Sequence, residues 1–255
     1  MQPQPYPILE YDSTPQAIIE PSQVIHPINL PEHCVLCFFQ DVINDVCGEG
    51  KARVVHHLDS EIGHNPIYEL VVDERRVTVV HPGVGAPLAA GFLEEMIALG
   101  GRKFIACGGS GVLNPEIAVG HVIVPTAAIR DEGTSYHYLP PSREAYPAAS
   151  ALEALEAALQ HHHVPYVLGK TWTTDAFYRE TRTKMEARRA EGCLAVEMEA
   201  AAFFAVAQFR KVPFAQVLYG GDNIGGDEWD HRGWDQHTSA REKLFWLAVE
   251  AVLRL

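Results

Sequence analysis

Three short segments of this 255-residue chain combine residue types that could do chemistry. Gly108-Gly109-Ser110-Gly111 is a run of small residues whose consecutive backbone N–H groups could face an anion or a sugar oxygen. The run matches neither G-x-G-x-x-G nor a lysine-bearing phosphate loop, and a tight turn that needs positive φ would use the same glycines. Val196-Glu197-Met198-Glu199-Ala200 sets two glutamates at the head of an apolar stretch. On a helix they would stand about 200° apart, so one of them must be enclosed while the apolar stripe is buried. An enclosed carboxylate is costly unless it accepts specific hydrogen bonds, and two hydroxyls on adjacent sugar carbons suit its two oxygens. Complementing a helix dipole is the plainer role for such glutamates. Gly220-Gly221-Asp222-Asn223 carries an aspartate beside glycines that allow close approach, a candidate acid or base, or an ordinary turn Asx.

Other residues add to these three. Phe177-Tyr178 could stack on a flat heterocycle or simply join the core. His161-His162-His163 reads as a solvated run ending a surface helix, and Asp230, His231, Asp235 and His237 follow no zinc spacing. No metal and no cofactor is expected. Cys34 and Cys37 spell C-x-x-C, but their apolar neighbours make a β-strand in which positions three apart point to opposite faces. That spacing argues against a zinc or redox pair.

Periodicity supplies the elements that must position these groups. Buried strands are expected at residues 34–39, 77–81, 103–107, 121–124, 166–168 and 214–219. Helices are expected at residues 87–99, 148–160, 180–191, 195–209 and 238–255. On these boundaries the Gly108 run and the Gly220 run are loops that leave the carboxyl ends of strands, where open α/β sheets bind ligands. Strands alternating with helices imply an α/β fold, a three-layer α/β/α sandwich with a mixed central sheet. Residues 1–31, with seven prolines, read as an extended arm on the body or on a neighbouring subunit, and residues 32–255 as a single domain.

Composition narrows the partners. With 33 acidic against 20 basic residues the net charge is −13, which repels nucleic-acid backbones and anionic membrane surfaces. No apolar run reaches the roughly 18–20 residues of a membrane span, and the five cysteines, odd in number, suit reduced thiols. A cytoplasmic protein is the expectation.

Taken together the segments resemble the nucleoside phosphorylase family, which includes purine nucleoside phosphorylases, uridine phosphorylases and thioadenosine nucleosidases. The likeness runs from Cys34 onward. It is carried by residues 196–200, 104–111, 114–125 and 130–138 and by Thr174-Asp175-Ala176-Phe177-Tyr178, all in the family's order. The resemblance implies cleavage of the bond between ribose and base. It places Met198 under the sugar, Glu199 on its 2′ and 3′ hydroxyls and Phe177 against the base. It makes Asp222 the group that assists protonation of a purine at N7, with Arg241 as its partner. Uridine-type members instead read the base with a Gln and an Arg, where this chain has Thr181 and Thr183. A purine is therefore expected, and a homo-oligomer of at least two subunits, with residues 225–233 as a lid.

The chain departs from the family at the phosphate. Where relatives carry Gly-Asp-Pro-x-Arg it reads Phe38-Phe39-Gln40-Asp41-Val42-Ile43, and where they carry an arginine before the glycine run it reads Ala106-Cys107. Without a bidentate arginine, phosphate is held less firmly. Ser110 with its glycines, or Arg53 or Arg102 from a neighbouring subunit, could take over. Phosphate is the nucleophile expected by family, water the rival, and a binding protein without catalysis the third reading.

Overall fold

The computed structural model describes residues 3–255. Its strands are β1 (His33–Cys37), β2 (Arg53–Ser60), β3 (Gly63–Val72), β4 (Arg75–Val80), β5 (Lys103–Val112), β6 (Val122–Asp131), β7 (Glu144–Ala145), β8 (Tyr166–Thr174), β9 (Cys193–Glu197) and β10 (Phe214–Asn223). The helices are α1 (Pro21–Val24), α2 (Gln40–Cys47), α3 (Ala86–Leu99), α4 (Ala149–His161), α5 (Arg182–Ala190), α6 (Ala200–Arg210) and α7 (Thr238–Leu253). The expected sandwich is present. One apolar core lies between the sheet and α2, α4 and α7, and a second between the sheet and α3 and α6.

The sheet runs β10-β6-β8-β9-β5-β1-β4-β3-β2, and β10 also pairs with β5, so five of its strands close on themselves. Strand β5 is the hinge of this arrangement. It pairs in parallel with β1 and β10 along most of its length, but with β9 only at Gly111 and Val112, antiparallel. The carboxyl ends of two oppositely directed strand sets therefore overlap at one place. Irregular register at Pro125/Ala127, Lys170/Thr171 and Gly220/Asn223 supplies the bending that closure requires.

Two sequence boundaries are corrected by this geometry. The Gly108 run is not a loop but the second half of β5, and Gly220-Gly221-Asp222-Asn223 is the end of β10. The glycines at 108, 109 and 111 do not serve positive φ. They serve close approach, since a Cβ would stand 3.0 Å from the Phe38 ring at 108, 3.2 Å from the Tyr219 ring at 109 and 2.9 Å from Val196 at 111. The helix expected over residues 195–209 also divides: residues 193–197 are strand and α6 starts only at Ala200. Strands β2 and β3 lie outside the expected elements: β2 is largely exposed, and β3 mixes polar with apolar residues and includes Pro66.

Cys34 and Cys37 do face opposite ways, Cys34 into the core under α3 and α6 and Cys37 into the core under α2, α4 and α7. Burial pushes the Cys34 thiol up to about 12, which removes the thiolate that metal or redox chemistry needs. Among residues 3–31, α1 and a 3-10 turn at Pro7–Leu9 are the regular pieces. The first two residues of the expected arm lie outside the described residues. The remainder is fastened to the body by Ile28 N–H to the Leu99 carbonyl (3.0 Å) and by Arg210, which bridges Glu20 (3.2 Å) and Glu94 (2.7 Å). No helix among the described residues is long and apolar enough to cross a membrane.

Phe214 opens β10, fully buried, with its ring 4.8 Å from that of Phe203 and 6.2 Å from that of Phe104. It joins the sheet to α6. Replacing it leaves a cavity that rigid strands cannot collapse into, so Phe214→Ala is expected to cost about 3–5 kcal/mol of unfolding free energy in urea titration.

Candidate active site

The site lies where β5, β9 and β10 end together. Glu197 closes β9 and is buried, with both carboxyl oxygens engaged. Oε1 accepts from the hydroxyls of Thr173 (2.6 Å) and Thr171 (3.3 Å), and Oε2 from the backbone N–H of Glu199 (2.7 Å) and Ala200 (2.6 Å). These bonds tie β8, β9 and the first turn of α6 into one unit, and they also satisfy N–H groups that a helix start leaves unpaired. Glu197, expected to touch substrate, thus accepts four hydrogen bonds from within the chain. Both glutamates are enclosed, not one, because they flank a strand-to-helix turn and not a helical face.

Glu199 is the second of the pair and the residue from which α6 begins. It is buried, and its Oε1 accepts from the Gly85 N–H at 2.6 Å. Gly85 opens α3 at φ 90°, a conformation that favours glycine, and so brings the end of β4 to the carboxyl. Burial, then the charge of Glu197, pushes Glu199 up to about 8. A carboxyl in that state can donate from one oxygen and accept at the other, which suits a pair of neighbouring hydroxyls. Met198, between the two glutamates, is half-buried.

The opposite end of the site is aromatic and acidic. Phe177 and Tyr178 form a 3-10 turn after β8; their rings pack on each other with centroids 4.2 Å apart, and at 52% and 88% exposure the pair is accessible to a planar ligand. Asp222 sits half-buried near the end of β10, and its Oδ1 is 3.4 Å from where a Cβ on Gly111 would stand. Its Oδ2 accepts from the Trp229 indole N–H at 2.8 Å. Trp229 belongs to the segment after β10 that the sequence suggested as a lid. That segment folds across this end and is fastened by Arg182 to the Gly226 and Asp227 carbonyls and by Arg232 to the Ile117 carbonyl (2.7 Å).

Arg241 does not meet Asp222. It pairs with Asp41 of α2 at 2.9 Å and lies over the Phe39 ring at 4.8 Å, because the first turns of α7 pack against the start of α2. Asp222 is partnered instead by Trp229. Glu180 is half-buried directly after the aromatic turn. Burial, then the Asp222 charge, pushes it up to about 7. The only signal in the sequence was its place three residues after Phe177.

The end of the site where the nucleophile is expected is apolar. Gly108 and Gly109 lie in the β5–β10 ladder, and the Ser110 hydroxyl donates to the Tyr219 carbonyl at 3.1 Å. The Phe38 ring covers Gly108 and lies edge-on to His81 at 5.9 Å. His81 accepts the Gly83 N–H at Nδ1 (3.1 Å), and burial pushes its imidazole down, which keeps it neutral. Arg53 pairs with Glu69, and Arg102 binds the carbonyls of Ile97 and Gly101. Among the described residues the one group spaced to share a metal ion is His161, His162 and Glu250, on α4 and α7.

A family model described as the phosphorylase superfamily matches residues 32–254. A uridine phosphorylase of Treponema pallidum is 36% identical over 172 residues, 62% of this chain and 67% of that one. A guanosine phosphorylase of Halorubrum lacusprofundi is 34% identical over 207 residues, 80% of this chain and 81% of that one. Two solved structures share the fold. One is a purine nucleoside phosphorylase from Toxoplasma gondii (TM-score 0.74, 21% identity, 91% of this chain and 93% of that one). The other is an AMP nucleosidase from Bacteroides thetaiotaomicron (TM-score 0.70, 24% identity, 88% of each chain).

The two glutamates should separate on substitution. Glu197→Ala strands two hydroxyls and two N–H groups in the interior, and an expected loss of about 3 kcal/mol or more appears in chemical denaturation. Glu199 contributes differently. Its carboxyl binds a proton more tightly folded than unfolded, so its contribution to stability is complete below about pH 4.5 and is lost as pH rises toward about 8. Glu199→Gln should remove that decline from a plot of unfolding free energy against pH while leaving the fold intact.

Proposed function

Because the chain belongs to the phosphorylase superfamily, we propose that it cleaves the N-glycosidic bond of a purine nucleoside, with phosphate as the attacking group. The observation that carries this reading is the pairing of a buried, protonated-range Glu199 on Gly85 with an open aromatic turn at Phe177 and Tyr178. One end suits adjacent hydroxyls and the other a planar base. As the bond between C1′ and the base lengthens, positive charge grows on the sugar and negative charge on the base. Glu199 holds the sugar through its hydroxyls, Met198 packs beneath it, and Phe177 and Tyr178 confine the base. Asp222 lies at the base end, where a proton must arrive. Such proton transfer contributes about 10² to 10⁴ in rate. Thr181 and Thr183, in place of an amide and a guanidinium, support a purine over a pyrimidine.

A specific observation favours water as a second reading for the nucleophile. Phe38 and a neutral His81 line the end where an anion would be held, and Arg53, Arg102 and Arg241 are each engaged with other groups. Two negative charges on phosphate require either a cation from a second copy of the chain or a loss of affinity. A homo-oligomer belongs to the first reading.

Adenosine, inosine, guanosine and uridine, each incubated with and without phosphate, distinguish the readings. Phosphate-dependent release of base with ribose 1-phosphate, faster for the purines, is the expected result. Release with free ribose in phosphate-free buffer establishes hydrolysis. Asp222→Asn should lower kcat by about 10²-fold or more, and failure of the protein to release any base would contradict both readings.

A further inference from the structure

The histidine run at residues 161–163, which the sequence presents as a solvated helix end, is set by the fold against a carboxylate from another helix. His161 is the last residue of α4, His162 caps it, and Glu250 lies in the last turn of α7, which packs beside α4. One nitrogen of each imidazole and one oxygen of Glu250 all lie within 4.8 Å of one another. His162 Nε2 already meets Glu250 Oε2, and the two imidazole rings stand edge to face with centroids 5.0 Å apart. The other carboxylate oxygen, Oε1, accepts from Arg254 Nη2 (2.5 Å) and Nε (3.2 Å). Those bonds orient the carboxylate from behind, as the outer hydrogen bonds of metal-ligating carboxylates do, and leave Oε2 toward the histidines.

We propose that His161, His162 and Glu250 form a zinc site that ties the end of α4 to the end of α7, with water in the fourth position. Imidazole nitrogen and carboxylate oxygen suit zinc, whereas a hard cation such as magnesium takes an oxygen shell. Tetrahedral zinc with bonds of about 2.0–2.1 Å sets its donors about 3.3 Å apart. Both histidines are exposed, so side-chain rotation is the motion that closes the difference.

The surroundings favour a cation. The carbonyl end of α4, negative by its dipole, is at the site, and the chain carries a net charge of −13. Arg254 is the one cationic side chain bonded to the group among the described residues, and it is engaged by Oε1. Glu250 distinguishes this group from a histidine run, because it alone comes from the second helix. His163 stands outside the group, at a backbone turn with φ 52°. In the unfolded chain Glu250 is 88 residues from His162, so zinc binds the folded form more tightly and stabilises it. None of the three ligands belongs to the candidate active site, and the inference is independent of the proposed function.

Calorimetric titration of zinc into full-length protein, purified without a tag and stripped of metal, measures the site directly. About one ion per chain is expected, with no binding of magnesium. His161→Ala, His162→Ala and Glu250→Gln should each weaken zinc about tenfold or more, while His163→Ala leaves the affinity unchanged. Circular dichroism of each variant without zinc, matching wild type, separates lost binding from lost fold. Unfolding exposes five buried cysteines that also take zinc, so the tie between helices is measured by comparing Tm in wild type and Glu250→Gln. Zinc should raise the Tm of wild type relative to that of Glu250→Gln. No zinc binding by wild type, binding that Glu250→Gln leaves unchanged, equal losses from His162→Ala and His163→Ala, or no relative rise in Tm would each overturn the inference.

Discussion

Four carboxyl groups, Glu180, Glu197, Glu199 and Asp222, converge on one end of the sheet, and among the described residues none of them has a cation. Burying charge without a counter-charge is among the costliest acts in folding. The structure meets that constraint in three ways. Glu197 takes four hydrogen bonds from two threonines and a helix start. Glu199 and Glu180 are pushed up by burial and by each one's acidic neighbour, to about 8 and about 7, so they hold protons near neutrality. Asp222 takes the indole N–H of Trp229. Chemistry follows from the residue of that arrangement, since a carboxyl that holds its proton loosely is a donor waiting for an acceptor.

The sheet makes the convergence possible. Because β5 meets β9 only through Gly111 and Val112, the ends of oppositely running strands lie side by side, and groups remote in sequence share a few ångströms. Gly111 is the tight point: a Cβ there would stand 2.9 Å from Val196 and 3.4 Å from Asp222. The same closure sets the glycine strand beside Phe38, whose ring covers Gly108 and lies edge-on to His81.

Much of the fold was legible because apolar period dominates it. The helices at α3, α4, α5 and α7 fall within a few residues of expectation, and α3 ends at Gly100 as that glycine implies. What the pattern misread shares one cause. Glycine after a buried strand reads as a loop, yet at 108–111 and 220–221 the glycines sustain the strand by making room for Phe38, Tyr219 and Trp234. Glu197 and Glu199 read as helical because Ala and Phe follow them, although tertiary bonds from Thr171 and Thr173 fix Glu197 in a strand. The site segments themselves were visible as residue types at strand ends. Arg241 was assigned by likeness alone, and the packing of α7 on α2 sends it to Asp41. Glu180 left no periodic trace, since its raised proton affinity comes from burial and from the Asp222 charge on a separate element.

Protonated carboxyls at neutral pH are the claim on which the rest stands, and side-chain carbon-13 NMR of ligand-free protein labelled at glutamate observes them directly, with Glu180→Gln and Glu199→Gln assigning the resonances. Titration midpoints near about 7 for Glu180 and about 8 for Glu199 are predicted. Midpoints for both at the ordinary glutamate value of about 4.3 would contradict it.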